Sequence, residues 1–283
     1  MSNRRLWTTG AGLLLAAAAV IAGLAVFHPG ESSAGGETVA VTTSWLECVL
    51  RDVTDDAFEI VRLCPPGSCP GHFDMTPTQL ASVRHSGLLV RFDFQSGLDA
   101  KLMSCSGDEL SVVSVPAGEG LCVPASYLGA CRELARAVSA RHPYLSDRCR
   151  ESLARIEHRL ESLSVEVRGR IAAGGLKGTR VLTSHHQAAF ARWLGLDVVG
   201  TLKSSERETV RDLAGLIDLG ERAGVVLVVA NLQEGAREAL ALARRLGARV
   251  VVFSNFPAMD DRESSFDALL RANVDRLLEA AKP

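Results

Sequence analysis

Two histidines and a carboxylate stand where a metal-binding cleft would need them. His72 follows a strand-like run and a Cys64-Pro65-Pro66-Gly67-Ser68-Cys69-Pro70-Gly71 turn, and Glu119 follows a later strand in the same half of the chain. His185 and His186 come directly after the first strand of the second half. In open α/β sheets ligands bind beyond the carboxyl ends of the strands, so residues just after strands are the ones to inspect. Imidazole with carboxylate is a ligand set for first-row transition metals. Taken singly, each of these residues reads as an ordinary loop or turn residue; their common position at one edge of both sheets sets them apart. His85, His142 and His158 fall on helical or inter-helical surface and carry no assigned role.

Those residues need strands and helices to hold them. In the first half, Val39–Thr43, Glu59–Leu63, Leu88–Phe92 and Ser111–Val115 are short apolar runs of the kind buried in parallel sheets. Helices are expected at Pro77–His85, where Thr76 caps and Pro77 takes the first position, and at Tyr127–Ala140. The second half repeats the alternation, with strands at Arg180–Thr183, Asp197–Thr201, Val225–Ala230 and Arg249–Phe253. Helices are expected there at Gln187–Leu194, Glu206–Ala223, Glu234–Leu246 and Ser265–Ala281. Between the halves, Cys149, Leu153, Ile156, Leu160, Leu163, Val167 and Ile171 form one apolar stripe on a helix of residues 147–171, about 37 Å long. The fold class is therefore α/β, with two lobes (35–146 and 172–283), each built on a largely parallel four-stranded sheet, joined by one long central helix.

The whole chain has 283 residues, 31 Lys and Arg against 33 Asp and Glu, 47% hydrophobic residues and a formal charge of −2. With no basic excess to neutralise phosphates, nucleic acid is excluded as a partner on electrostatic grounds. Residues 1–34 read as an export signal: Arg4 and Arg5, an uncharged apolar run from Ala11 to Phe27, then Ser32-Ser33-Ala34. Left uncleaved, residues 11–27 would be a membrane anchor, at the lower edge of a bilayer-spanning length. An exported chain puts its seven cysteines in an oxidising, extracytoplasmic space, where the turn between Cys64 and Cys69 could bring that pair together. Seven is odd, so at least one cysteine has no partner within the chain.

Certain segments are similar to the metal-binding solute-binding proteins of zinc and manganese ABC transporters. The stretch Gly71-His72-Phe73-Asp74-Met75-Thr76-Pro77-Thr78-Gln79-Leu80 resembles the segment around that family's first ligand histidine. Gly97-Leu98 resembles its Gly-Leu motif, and Ala191-Arg192-Trp193-Leu194-Gly195-Leu196 the segment trailing a later ligand; Ala239–Phe253 and Phe266–Leu278 resemble its last two units. The resemblance spans residues 39–279 and implies a rigid-helix binding protein that takes a divalent metal, Zn or Mn, between its lobes and hands it to an ABC transporter permease, acting as a monomer. It implies metal ligands at His72, Glu119 and one of the pair His185 and His186, with His186 favoured. Glu119 stands where the family has a histidine, Asn231 where it has Glu or His, and Ser264 near its late aspartate, beside Glu263 and Asp261. The fourth ligand is left among Glu263, Asp261, Asn231 and water. No enzyme is expected: there is no His-Glu-x-x-His helix, Gly-x-Ser-x-Gly elbow or phosphate loop. A metal-dependent hydrolase and an anchored interaction protein with a degenerate metal site are the alternatives. Metal affinity is expected to fall at acid pH, because protons compete with the metal for imidazole.

Overall fold

Short runs rich in Val, Leu and Ala form the central strands of the two sheets, where both faces are covered. The computed structural model describes residues 37–71, 75–99, 110–203 and 209–282; the export segment, His72, Cys105 and the expected helix start at Glu206 lie outside these. The first sheet contains β1 (Thr38–Val41), β2 (Glu59–Arg62), β3 (Leu88–Phe92) and β4 (Ser111–Val115) in the order β2-β1-β3-β4. The second contains β5 (Arg180–Ser184), β6 (Asp197–Leu202), β7 (Leu227–Asn231) and β8 (Arg249–Phe253) in the order β6-β5-β7-β8. Every pairing is parallel. In each sheet the strand order reverses between the first and third strands, β1 and β3 or β5 and β7, and a crevice opens at their carboxyl ends.

The helices are α1 (Ser44–Thr54), α2 (Pro77–Arg84), α3 (Pro124–Arg141), α4 (Ser146–Ala173), α5 (Ala188–Trp193), α6 (Val210–Ala223), α7 (Arg237–Leu246) and α8 (Phe266–Ala281). Their starts follow capping chemistry. Thr76 and Gln79 make a reciprocal capping box at α2, Thr209 and Asp212 do the same at α6, and the Ser265 hydroxyl accepts from Ala268 N at α8. α1 was not expected from the sequence. Trp45, Leu46, Val49, Leu50 and Val53 are buried and recur at helical spacing, with Glu47 and Arg51 on the other face, so its 3.6-residue period is legible in the sequence. α7 begins at Arg237 rather than Glu234, because Asn231 and Gly235 (φ +86°) close a turn that uses the intervening residues.

The central helix α4 has 28 residues, slightly more than expected, and buries Cys149, Ile156, Leu160, Leu163, Val167 and Ile171 along one stripe. It packs against α1 and α3 of the first half and against α8 of the second. The apolar core is continuous between the halves along this stripe. Trp45 of α1 marks the junction: its ring lies 5.3 Å from Phe92, 5.1 Å from Tyr127 and 6.5 Å from Phe266 of α8, and its indole N–H donates to Leu121 O at 2.8 Å. A helix seated on both halves restricts their relative motion. No helix among the described residues is long and apolar enough to cross a membrane.

One glycine in the second sheet has a packing reason. The register between β5 and β6 shifts at Val181/Leu182, which sets Gly200 opposite Leu182. A Cβ there would come within 2.9 Å of Leu182 Cδ2 and of Leu216 Cδ2, and 3.0 Å from Leu219 Cδ2. Gly200→Ala is expected to cost about 1–2 kcal/mol, since three leucine side chains must shift together in a packed layer. Urea unfolding checks this; unchanged or raised stability would show that the layer has room.

Candidate metal centre

β5 ends at Ser184 and the chain turns directly into a 3-10 turn, His185–Gln187, whose two imidazoles are both exposed. The rings lie edge to face with centroids 5.7 Å apart. The neighbouring strand β7 ends at Asn231, which is 1% exposed. The Asn231 Oδ1 accepts from Gln233 N at 2.9 Å and from Glu234 N at 3.1 Å, fixing the turn that follows. That turn presents Glu234 to His186, with Glu234 Oε1 at 3.4 Å from His186 Nε2. The Glu234 side chain is 15% exposed and that of His186 55%, so the carboxylate lies under a more open imidazole. The pair thus spans the two strands at which the second sheet reverses its order, where this architecture binds ligands.

Beneath the pair lies a layer of buried amides and hydroxyls. Gln187 Nε2 donates to Asn255 Oδ1 at 2.9 Å, Asn255 N to Gln233 Oε1 at 3.1 Å, and Gln233 Nε2 to Ser254 Oγ at 3.1 Å. Asn273 clamps the end of β8 from below, accepting from Ser254 N and donating to Ser254 O. Thr183 Oγ1, Ser184 Oγ, Gln187 Oε1 and Asn231 Nδ2 are buried here without a hydrogen-bond partner among the described residues. The strand ends of the second sheet are therefore lined with polar atoms rather than filled with apolar side chains.

Two loops of the first half meet this region. Gly120 packs on the first turn of α5, just after the histidine turn: a Cβ at Gly120 would stand 3.0 Å from Ala189 Cβ. Glu119, exposed beside it, belongs to that same loop. The Pro65–Ser68 turn, upstream of His72, touches the second half through Pro66 O, which accepts from Gln233 Nε2 at 3.4 Å. His72 itself lies outside the described residues. Among the described residues, no group of three or more His, Cys, Asp or Glu side chains is arranged to hold a metal ion.

The candidates for a fourth ligand fare differently. Asn231 uses its carbonyl oxygen to hold the Gln233–Glu234 turn, which takes that oxygen away from a ligand role. Glu263 is buried and its carboxylate accepts from Arg276 of α8. Asp261 is exposed in the loop before α8. Glu234 was not picked out from the sequence, because attention to strand ends stops at Asn231 and the carboxylate stands three residues further on. The available signal was Asn231 to Gly235, the residue types of a tight turn that would bring Glu234 back toward the strand end.

An imidazole and a carboxylate on a polar shelf can share a divalent transition metal or hold a proton between them. The chain matches the family described as "Zinc-uptake complex component A periplasmic" (ZnuA) over residues 123–280, more than half of its length. It belongs to that family, whose members are solute-binding proteins. Solved structures agree on the fold. A crystal structure of ZnuA is 18% identical and superposes with a TM-score of 0.74 over 87% of this chain and 100% of the other. An Mn-bound periplasmic metal binding protein from Candidatus Liberibacter asiaticus is 11% identical, with a TM-score of 0.74 over 86% of this chain and 98% of that one. The laminin binding protein Lmb of Streptococcus agalactiae, described as bifunctional with adhesin and metal transporting activity, is 17% identical at a TM-score of 0.72, covering 87% and 100%. No curated protein matches the chain in a sequence comparison.

Proposed function

We propose that this protein is an exported, extracytoplasmic solute-binding protein that captures a divalent transition metal, Zn²⁺ or Mn²⁺, and delivers it to an ABC transporter permease. The metal is cargo. Its donors in this reading are His186 and Glu234 on the second half and Glu119 on a first-half loop that lies against it, with His72, expected from the sequence, completing the set. The observation that carries the reading is the His186–Glu234 pair at the order reversal of the second sheet, in a chain of the ZnuA family. Family membership favours transport over metal-dependent hydrolysis. A donor set of imidazole with one or two carboxylates suits zinc, and each added oxygen shifts preference toward manganese. The shared core along α4 supports small adjustments around the metal rather than wide hinge opening. Residues 1–34 would direct export, and the described part would act as a monomer.

Calorimetric titration of the metal-stripped protein with Zn²⁺ and with Mn²⁺ is expected to show one site per chain. It should weaken as the pH is lowered, because the proton competes with metal for imidazole. Binding no tighter than that of a His72→Ala/His186→Ala double variant would remove the basis for the transport reading.

A further inference from the structure

Cys64 and Cys69 stand apart from the other described cysteines. Cys48, Cys122, Cys131 and Cys149 are buried in the main apolar core, whereas Cys69 is only half-buried and Cys64 sits with it at the end of β2, outside that cluster. The backbone between the two is well defined. Cys64 N donates to Thr42 O at 2.9 Å, extending the register of β2 against the chain after β1, and Ser68 N donates to Pro65 O at 3.0 Å. That second bond closes Pro65-Pro66-Gly67-Ser68 as a reverse turn, with Cys64 immediately before it and Cys69 immediately after. A reverse turn holds its first and last Cα atoms within about 7 Å, which keeps the residues just outside it, Cys64 and Cys69, near one another. A disulfide needs about 4.4–6.8 Å between Cα atoms. The two thiols are near enough to feel each other: burial pushes the Cys64 thiol up, and the neighbouring Cys69 thiol is the next contribution in the same direction, opposed by the Ser68 hydroxyl. In the reduced form the Cys69 sulfur lies toward Gly71, 3.8 Å from the place a Cβ there would take, and Cys64 Sγ faces Pro65 O at 3.6 Å, so the bond forms after side-chain rotation.

We propose that Cys64 and Cys69 are a disulfide-forming pair that closes the Pro65–Ser68 turn in an oxidising compartment. The oxidant is a small disulfide of the glutathione class or a thiol oxidoreductase acting by exchange. The more exposed Cys69 thiolate attacks one sulfur of glutathione disulfide and expels one glutathione thiolate. The Cys64 thiolate then attacks the Cys69 sulfur of the mixed disulfide and expels the second. The two cysteines lose two protons and two electrons, and one glutathione disulfide becomes two glutathione thiols. The turn so closed is anchored on both sides: Pro66 O accepts from Gln233 of the second half, and Pro70 O accepts from Gln95 Nε2 at 3.2 Å. The bond would therefore stiffen a loop that reaches between the halves. Its formation does not depend on metal binding.

The test uses the purified full chain, reduced, freed of reductant, then incubated folded with glutathione disulfide, alkylated and digested with trypsin. Cleavage after Arg62 and Arg84 leaves both cysteines in one peptide, residues 63–84. The expected result is that this peptide is unalkylated and lighter by two hydrogens than its reduced form. In Cys69→Ser the same peptide should keep an alkylatable Cys64. A wild-type peptide carrying two alkyl groups, a retained glutathione on Cys69, or a link from either cysteine to another peptide would overturn the proposal.

Discussion

Replacing His186 with alanine is expected to weaken Zn²⁺ binding by about 100-fold, because a first-row metal loses a direct nitrogen donor that water replaces poorly. Glu234→Gln should cost about 10-fold: the side chain keeps its size and one acceptor oxygen but loses the charge that faces the imidazole at 3.4 Å. His185→Ala, by contrast, should change affinity little, since Glu234 approaches His186 and not its neighbour. The three variants belong in one calorimetric series at fixed pH. If His185→Ala abolishes binding and His186→Ala does not, the wrong member of the pair has been assigned. If Glu234→Gln binds as tightly as the wild type, the carboxylate is not a metal donor. Stability offers an internal control. His186 is exposed, so its removal should leave the unfolding midpoint nearly unchanged and separate lost binding from lost folding.

The second large effect concerns the junction of four helices. Asp52 of α1 accepts from the Tyr127 hydroxyl of α3 at 2.7 Å and from Arg159 of α4 through both carboxylate oxygens, one of them at 3.1 Å. Arg159 Nε also lies 3.2 Å from Asp267 of α8. Tyr127 is completely buried, and burial, with the Asp52 carboxylate adding to it, pushes its phenol well up, so it remains a proton donor at any physiological pH. Asp52→Ala would leave that hydroxyl buried without its acceptor and Arg159 without its main counter-charge. A broken, fully buried ion pair costs about 3–5 kcal/mol. Here Arg159 is 38% exposed, which lowers the charge part, while the orphaned hydroxyl adds about 1 kcal/mol or more. The expected loss is about 3 kcal/mol. Tyr127→Phe, which removes the donor but leaves Asp52 paired with Arg159, should cost about 1 kcal/mol. Glu157→Ala, which breaks an exposed pair with Arg132 whose side chains are 53% and 61% exposed, should cost less than about 0.5 kcal/mol. Urea unfolding of the three ranks them. Equal losses for Asp52→Ala and Glu157→Ala would show that the network contributes no more than a surface contact.

Much of the architecture was legible in the residues. The strands could be located because each is a short Val- and Leu-rich run, fully buried in the central strand Leu88–Phe92 and partly exposed in the edge strands Ser111–Val115 and Arg249–Phe253; all three have the expected limits. The long helix was visible because its stripe, Cys149 to Ile171, repeats every three or four residues over about six turns. α1 carries the same kind of signal, since Trp45, Leu46, Val49, Leu50 and Val53 share one face opposite Glu47 and Arg51, although no helix was expected there. The start of α7 was misplaced because Glu234 is an ordinary helix-forming residue, while the Asn231–Gly235 turn, which stops the helix from starting there, depends on a positive φ at Gly235.

The site divides along a similar line. Residue types and strand ends pointed to His186 and Glu119, because side chains at the carboxyl edge of a parallel sheet are the ones free to meet a ligand. The sequence by itself determined the alternation of strands and helices, the central helix and the presence of imidazole and carboxylate at the sheet edges, since all of these are local patterns of polarity and spacing. Only the tertiary structure decided which polar residues are already engaged: Asn231 in its own turn, Glu263 with Arg276, Glu234 with His186. It also decided that α4 is no bare rod but a shared wall, because Trp45, Tyr127 and Phe266, far apart in sequence, bury one another against it. Partner choice among buried polar and aromatic groups is set by distances between segments remote in the chain, and no local spacing encodes those distances.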